Sequence, residues 1–285
     1  MTQSQIRSSG SPRRTLHPQK VTHLDQRFSA GRTPVRLLLV GAGGTGSKLL
    51  DRLIHLHFGL RAFSQPGLDV TVIDPDRVSP SNLVRQLFRA ADIGHPKAEV
   101  LVERINLSTG LSWKARNEAF KPEHLQSQDI VVSCVDTAAA RADLHAALQA
   151  PGTVRYWCDT ANGRSGGQIM IGEPESDATR KLNRRLPLPS ELLPELIVTR
   201  AEELTTPSCS AIESLAHQDL LVNDPPATAA AQLLWNLLHN GELPYSGQYF
   251  NLASGIAAPV PSRHLHLPRG SGTKRAVRID DQLVS

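Results

Sequence analysis

The stretch that most constrains the fold is residues 35–46, which read VRLLLVGAGGTG. The first half is an almost continuous apolar run, as expected of a strand buried on both faces of a parallel sheet. It ends in a glycine-rich turn, after which apolar residues recur at helical spacing from Leu49 onward. Between a strand and a helix, such glycines let the backbone approach a phosphate, and the helix N-terminus presents free N–H groups to it. The sequence therefore predicts a nucleotide site at Gly41, Gly43, Gly44 and Gly46.

Further apolar runs alternate with segments of helical spacing. The runs that predict strands cover residues 68–73, 112–116, 129–135, 154–160 and 166–172. Helical periodicity returns after Pro96 and again over residues 138–150. This alternation predicts an α/β fold: a doubly wound, mainly parallel Rossmann-like sheet flanked by helices. Residues 227–240 predict a later helix, and residues 245–259 predict antiparallel strands at the edge of the C-terminal part.

The ends of the chain differ in composition from its middle. Residues 1–34 are rich in Ser, Arg, Pro, Gln and Gly without periodicity and predict a flexible basic arm, and residues 261–285 predict a flexible tail. Residues 35–260 are then one domain, in which a charged, proline-punctuated segment at 173–210 predicts an inserted loop or lid. Much of the basic excess behind the net charge of +4 lies in the two tails, where solvated disorder explains it better than nucleic-acid binding.

The cysteine count and hydropathy exclude several classes of protein. The three cysteines, Cys134, Cys158 and Cys209, form no C-x-x-C motif, so a disulfide framework and a cysteine-rich zinc site are not expected. No apolar run reaches membrane length and no signal-peptide core is present, so we expect a soluble, cytoplasmic protein.

Five motifs in order point to a family. GAGGTG is followed by IDPD at residues 73–76, SNLVRQ at 81–86, HPK at 95–97 and CVDT at 134–137. In this order the chain resembles the ThiF/MoeB superfamily of ubiquitin-activating-enzyme-like adenylyltransferases over roughly residues 35–172. The strand that begins GGQI resembles that family too, whereas His95 stands where a glycine is common.

The resemblance implies a role for each motif in binding ATP and Mg²⁺. The glycines form the phosphate-side turn, and Asp74 accepts hydrogen bonds from the ribose hydroxyls. Asn82, Arg85 and Lys97 face the triphosphate, where a guanidinium and an ammonium group suit anionic oxygens. Asp136 holds Mg²⁺, a cation that prefers carboxylate and phosphate oxygens.

Each of these residues also has an ordinary structural explanation. Asp74 and Asp136 are suited to capping the turn or helix that follows them. Asn82 is a common turn residue, and most arginines and lysines, Arg85 and Lys97 included, are simply surface charges. The joint occurrence of the motifs favours the functional interpretation.

Cys209 is the candidate for a second chemical step. It follows Thr-Thr-Pro-Ser and precedes a helical stretch, and many relatives carry a cysteine in a loop that crosses the nucleotide site. A helix N-terminus stabilises a thiolate, which suits a thioester-forming or sulfur-carrying nucleophile; an inert loop residue is the equally weighted alternative. Cys134 and Cys158 lie on predicted strands and are interpreted as structural. Relatives that bind zinc use paired C-x-x-C motifs, so no zinc is expected.

Residues 209–223 resemble the ThiF-like proteins of the bacterial PRTRC gene system. This resemblance implies that the substrate is the C-terminal carboxylate of a small ubiquitin-like protein, with conjugating-enzyme-like and JAB-peptidase-like partners. Gln218, Asp219 and Asn223 in this segment are interpreted as helix surface and cap. Relatives often form homodimers and borrow a basic residue from a partner's arm, for which the candidates are Arg13, Arg14, Arg27 and Arg32.

Two other functions are compatible with the glycine turn. One is an NAD-dependent oxidoreductase in which Asp74 binds the adenosine ribose. Against it stand four polar residues that suit a triphosphate and a metal better than a nicotinamide: Asn82, Arg85, Lys97 and Asp136. The other is a non-catalytic module that docks a partner beside a vestigial nucleotide site, against which stand the intact Arg85, Lys97 and Asp136.

Overall fold

The computed structural model describes residues 21–22, 33–176, 179–180, 184–198, 215, 217–262 and 265–266. Cys209 and the four candidate arginines of the N-terminal arm lie outside the described residues.

An eight-stranded sheet forms the centre of the molecule. Its strands are β2 (Val35–Val40), β3 (Leu68–Ile73), β4 (Lys114–Arg116), β5 (Ile130–Ser133), β6 (Tyr156–Asn162), β7 (Gly166–Gly172), β10 (Gly247–Asn251) and β11 (Ile256–Val260). The spatial order is β11-β10-β7-β6-β5-β2-β3-β4. Strands β2 to β6 pair in parallel, whereas β7, β10 and β11 pair antiparallel. The predicted doubly wound sheet with antiparallel C-terminal strands is confirmed.

Five α-helices accompany the strands in the described part of the chain. They are α1 (Gly44–Ala62), α2 (Lys97–Thr109), α3 (Ala138–Leu148), α4 (Pro189–Leu192) and α5 (Asp224–Trp235). Short 3₁₀ turns lie at Pro80–Val84, Ala90–Asp92, Pro122–Leu125 and Pro194–Ile197. Helix α5 begins earlier than predicted because its two prolines occupy the first turn, where a missing N–H costs nothing. A π-helical segment, Asn236–Asn240, continues it to Gly241, whose left-handed backbone (φ 73°) ends it as predicted.

The sheet separates two apolar layers, and β2 shows how. Successive side chains of a strand point to opposite faces. Leu37 and Leu39 belong to the larger cluster with α1, α2 and α5. Leu38 and Val40 belong to the smaller cluster, which includes residues of α3. Burial on both faces explains the unbroken apolar run of this strand.

Short strand pairs lie outside the main sheet. β1 (Val21–Thr22), within the predicted arm, pairs with β9 (Glu242–Leu243). β8 (Arg184–Arg185) pairs with β12 (Leu265–His266), which lies in the predicted tail. These pairs connect both terminal segments to the domain.

The described part of the predicted inserted loop packs beside α3. The 3₁₀ turn Pro194–Ile197 contacts α3, and Leu188 joins the smaller apolar cluster. Among the described residues, none of this segment lines the cavity described below. No helix in the described part of the chain is long and apolar enough to cross a membrane.

Candidate functional site

A cavity of about 620 Å³ opens at the carboxyl ends of the central parallel strands. This is where open α/β sheets bind their ligands, and the volume lies within the usual range for small-molecule sites. Three of the four predicted glycines and four predicted charged residues line it together: Gly41, Gly43, Gly44, Asp74, Arg85, Lys97 and Asp136. The structure therefore brings most of the sequence-predicted site residues to one place.

The glycine turn has two positions that exclude a side chain. Gly41 has a left-handed backbone (φ 95°), and a Cβ there would lie 2.6 Å from the carbonyl oxygen of Cys134. A Cβ on Gly46 would lie 1.9 Å from the carbonyl oxygen of Gly41. Gly46 is inside α1 and does not line the cavity, so its part is to let the helix approach the turn.

Asp74 fixes the backbone of this turn. Its Oδ2 accepts a hydrogen bond from the backbone N–H of Ala42 at 2.6 Å, and its Oδ1 accepts one from that of Asp76 at 2.8 Å. The residue is only 4% exposed, and burial raises the pKa of the carboxyl group, which these backbone hydrogen bonds and Lys97 oppose. Asp74 lines the cavity, but both of its oxygens already hold backbone groups.

Asp76 is a cavity residue that the sequence analysis did not single out. Its Oδ2 lies 2.8 Å from Nζ of Lys97, the first residue of α2. The Lys97 side chain is 9% exposed and that of Asp76 is 63% exposed. The lysine is therefore buried in the cavity wall, whereas the carboxylate of Asp76 is open to solvent. The second acidic residue of IDPD was the signal available in the sequence.

Asn82 and Arg85 are three residues apart, but only Arg85 lines the cavity. Oδ1 of Asn82 accepts a hydrogen bond from the backbone N–H of Ser79 at 2.9 Å, as a turn residue does, and Asn82 does not line the cavity. It stabilises the 3₁₀ turn that leads into Arg85. Arg85 does line the cavity and donates a hydrogen bond to Oε1 of Gln218. Burial lowers the pKa of its guanidinium group.

Asp136 follows β5 and is exposed on the cavity wall. The hydroxyl of the next residue, Thr137, caps α3 by accepting from the backbone N–H of Ala140 at 3.3 Å. The capping role is thus taken by Thr137, which leaves the Asp136 carboxylate directed at the cavity without a structural bond of its own among the described contacts.

The buried ion pair of Arg141 and Asp159 is connected to the chain next to Asp136. Nε of Arg141 is 3.2 Å from Oδ2 of Asp159, and the two side chains are 8% and 1% exposed. Asp159 also accepts from the hydroxyl of Ser133, and a second Arg141 nitrogen donates to the carbonyl oxygen of Val135. Burial raises the pKa of Asp159, which Arg141 and Ser133 oppose. The pair therefore anchors the chain immediately before Asp136.

The structure corrects the interpretation of two residues of the last segment. Gln218 and Asn223 line the cavity instead of lying on a helix surface. Asn223 is at the N-cap position of α5, but its side chain makes no capping bond and is 3% exposed. Asp219 does not line the cavity; its backbone N–H donates to the carbonyl oxygen of Arg164 at 2.8 Å.

The two described cysteines are poor nucleophiles. Burial raises the pKa of the Cys134 thiol to about 12, opposed by a hydrogen bond with Thr160. Burial also raises the pKa of Cys158 well above its usual value. Both thiols are therefore protonated at neutral pH, consistent with the structural role predicted for them.

The carboxylates of the cavity are compatible with a magnesium ion. Within the described residues, no group of three or more His, Cys, Asp or Glu side chains is placed to hold a metal by itself. Mg²⁺ is normally bound through one or two carboxylates together with phosphate oxygens and water, which does not require such a group. The exposed carboxylates of Asp136 and Asp76, which both line the cavity, fit that description.

Comparison with known proteins identifies the family. The ThiF family matches residues 31–246, so the chain belongs to the ThiF family. It is 45% identical over 75 residues to the NEDD8-activating enzyme E1 catalytic subunit of Arabidopsis thaliana, covering 26% of this chain and 14% of that protein. It is 30% identical over 146 residues to the sulfur carrier protein ThiS adenylyltransferase of Escherichia coli K12, covering 49% of this chain and 53% of that protein. The matches thus span about half or less of these relatives' lengths.

A solved structure shares the fold. MccB of E. coli, crystallised with ATP, matches with a TM-score of 0.52 at 15% sequence identity, covering 80% of this chain and 64% of that one.

Proposed function

We propose that this chain is an ATP-dependent adenylyltransferase that activates the C-terminal carboxylate of a small ubiquitin-like protein. The observation that carries the proposal is the meeting of four elements in one cavity. The glycine turn, the buried Lys97, the half-buried Arg85 and the exposed carboxylate of Asp136 all lie at the carboxyl edge of the sheet. The substrate class is supported by relatives whose names describe activation of NEDD8 and adenylylation of ThiS.

The geometry suits attack on the α-phosphorus of ATP. A carboxylate oxygen forms a bond to the α-phosphorus, the bond to the bridging oxygen of the β-phosphate breaks, and pyrophosphate leaves with that electron pair. The reaction needs the nucleotide held in line and the phosphate charge neutralised. Arg85 and Lys97 supply positive charge, and the turn next to α1 supplies backbone N–H groups.

Two carboxylates complete the nucleotide site. Asp74 would accept hydrogen bonds from the ribose hydroxyls, since each of its oxygens that holds a backbone N–H keeps a further lone pair and the residue lines the cavity. Asp136 would hold Mg²⁺, whose charge offsets that of the phosphates.

The first test is calorimetric binding of ATP with Mg²⁺, compared with NAD⁺. We expect magnesium-dependent binding of ATP and no binding of NAD⁺, because Arg85, Lys97 and Asp136 suit a triphosphate and a metal and not a nicotinamide. Preference for NAD⁺ would instead support the oxidoreductase. Binding of neither would leave a non-catalytic docking module as the better description.

We further propose that the Cys209 thiolate attacks the carbonyl carbon of the acyl-adenylate, so that a thioester forms and AMP leaves; sulfur transfer through Cys209 is the alternative second step. Cys209→Ser is expected to leave ATP–pyrophosphate exchange unchanged and to abolish an adduct between the chain and a ubiquitin-like protein that an added thiol cleaves. Cys158→Ser is the matched control, because that thiol is buried and protonated. Adduct formation by Cys209→Ser at the wild-type rate would assign the transfer elsewhere.

The proposal also includes the oligomeric state and the partner proteins. We expect a cytoplasmic homodimer in which an arginine of the N-terminal arm completes a partner's site. The PRTRC resemblance adds conjugating-enzyme-like and JAB-peptidase-like proteins as expected partners.

A further inference from the structure

We propose that Asn223 is a nucleotide-binding residue, whose side-chain amide donates a hydrogen bond to a phosphate oxygen at the glycine turn. The inference rests on the proposed function and adds a ligand contact from the C-terminal part of the domain. It concerns a residue whose position in the sequence, just before a helix, suggested no more than a cap.

Only the oxygen of the Asn223 side-chain amide is hydrogen-bonded within the described residues. Its Oδ1 accepts hydrogen bonds from the hydroxyl of Thr45 at 3.2 Å and from Nδ2 of Asn162 at 2.8 Å. Its Nδ2 is buried and has no hydrogen-bond partner among the described residues. Buried polar groups are normally paired, so an oriented but unpaired amide in a cavity wall indicates a missing ligand.

The unpaired amide lies directly against the glycine turn. A Cβ on Gly44, the first residue of α1, would be 2.6 Å from the amide atoms of Asn223. A side chain at this position would displace the amide of Asn223 from its place. The first N–H groups of α1 have no partners within the helix, so the amide and the helix end provide donors at the same point.

The charged residue nearest in sequence to the glycine turn, Lys48, does not compete with the Asn223 amide as a donor to a phosphate. Lys48 of α1 is paired with Asp224, the first residue of α5, and its side chain is only 11% exposed. This ion pair holds the start of α5 against the start of α1, next to Asn223. Because Lys48 does not line the cavity, a phosphate oxygen at the turn would be bound on this side through N–H donors, as in other helix N-terminal anion sites.

Asn223→Asp tests the proposal with little change of shape. The carboxylate can still accept from Thr45 and Asn162, but the N–H donor becomes an anionic oxygen beside the phosphates. We expect the Kd for ATP with Mg²⁺ to rise about 100-fold, since a hydrogen bond to a charged group is lost and repulsion is added. Asn223→Ser, which is neutral and too short to reach, is expected to raise the Kd about tenfold. If thermal melting shows that Asn223→Asp does not fold, the serine variant decides.

The control and a second ligand separate this inference from the proposed function. Asn240→Asp adds the same charge at the exposed far end of the helical segment and should change the Kd less than about twofold. Inorganic tripolyphosphate is titrated beside ATP. One outcome is that the wild-type protein binds tripolyphosphate but not ATP, and that Asn223→Asp no longer binds tripolyphosphate. This outcome would support the role of Asn223 and overturn the proposed adenylyltransferase function. ATP binding with equal affinity in wild type and both Asn223 variants would overturn Asn223 alone, and wild-type binding of neither ligand would overturn both.

Discussion

Asp136→Asn is expected to remove the magnesium dependence of ATP binding and to lower adenylate formation about 100-fold or more, as loss of a key electrostatic contact in an active site commonly does. The carboxylate is exposed on the cavity wall, and Thr137 performs the capping of α3. The amide keeps the shape but loses the charge that attracts a hard cation. Because none of the described residues bonds to the Asp136 carboxylate, the free energy of unfolding should change by no more than about 0.5 kcal/mol.

The measurement is the Kd of ATP with Mg²⁺ and with EDTA, followed by ATP–pyrophosphate exchange in the presence of a ThiS-type sulfur carrier protein. Asp143→Asn, at an exposed position of α3, is the matched control and should behave as wild type. Arg85→Ala should differ from both: we expect weaker ATP binding with and without the metal, because it removes a contact to the nucleotide itself. Unchanged magnesium dependence in Asp136→Asn would rule out Asp136 as the metal ligand.

The sequence was informative where the pattern is local. The turn between β2 and α1 is defined by adjacent residues: Gly41 has a left-handed backbone, and a Cβ on Gly46 would meet the carbonyl oxygen of Gly41. Alternating strands and helices gave the order of elements, and the apolar run of β2 correctly predicted burial on both faces.

The sequence was uninformative where the site depends on distant contacts. Thr45 and Asn223 are 178 positions apart, and Arg85 and Gln218 are 133 apart. No periodicity connects such residues, so Gln218 and Asn223 were interpreted as helix surface and cap. Both acidic residues of IDPD line the cavity, and folding likewise decides that Asp74 holds the glycine turn while Asp76 pairs with Lys97, so the sequence alone does not single out Asp76.

The largest effect on stability is expected from Arg141→Met, which should lower the free energy of unfolding by about 3–5 kcal/mol because it leaves a buried carboxylate without its counter-charge. Asp159 is 1% exposed at its side chain, and Ser133 would be its only remaining side-chain partner among those described. Urea denaturation at neutral pH measures the loss. Arg52→Met, which breaks an exposed pair with Asp51, should cost no more than about 1 kcal/mol.

The pH dependence distinguishes a lost charge pair from lost packing. Burial already raises the pKa of Asp159 in the folded protein, and removing Arg141 should raise it further. A carboxyl group with a raised folded pKa favours folding most below its unfolded value of about 3.9, and this contribution is lost as the pH rises through the folded value. The deficit of Arg141→Met relative to wild type should therefore narrow as the pH falls from 7 toward about 4. A deficit that does not change with pH would mean that Arg141 contributes through packing alone.

The double variant Arg141→Met/Asp159→Asn connects this pair to the site. Removing both charges should recover much of the lost stability, since a buried ion pair contributes little beyond its own desolvation cost. It should not restore the hydrogen bond from Arg141 to the carbonyl oxygen of Val135, the residue immediately before Asp136. We therefore expect a stable protein whose magnesium-dependent ATP binding is still weakened. Full recovery of both properties would show that the ion pair serves the fold and has no part in placing Asp136.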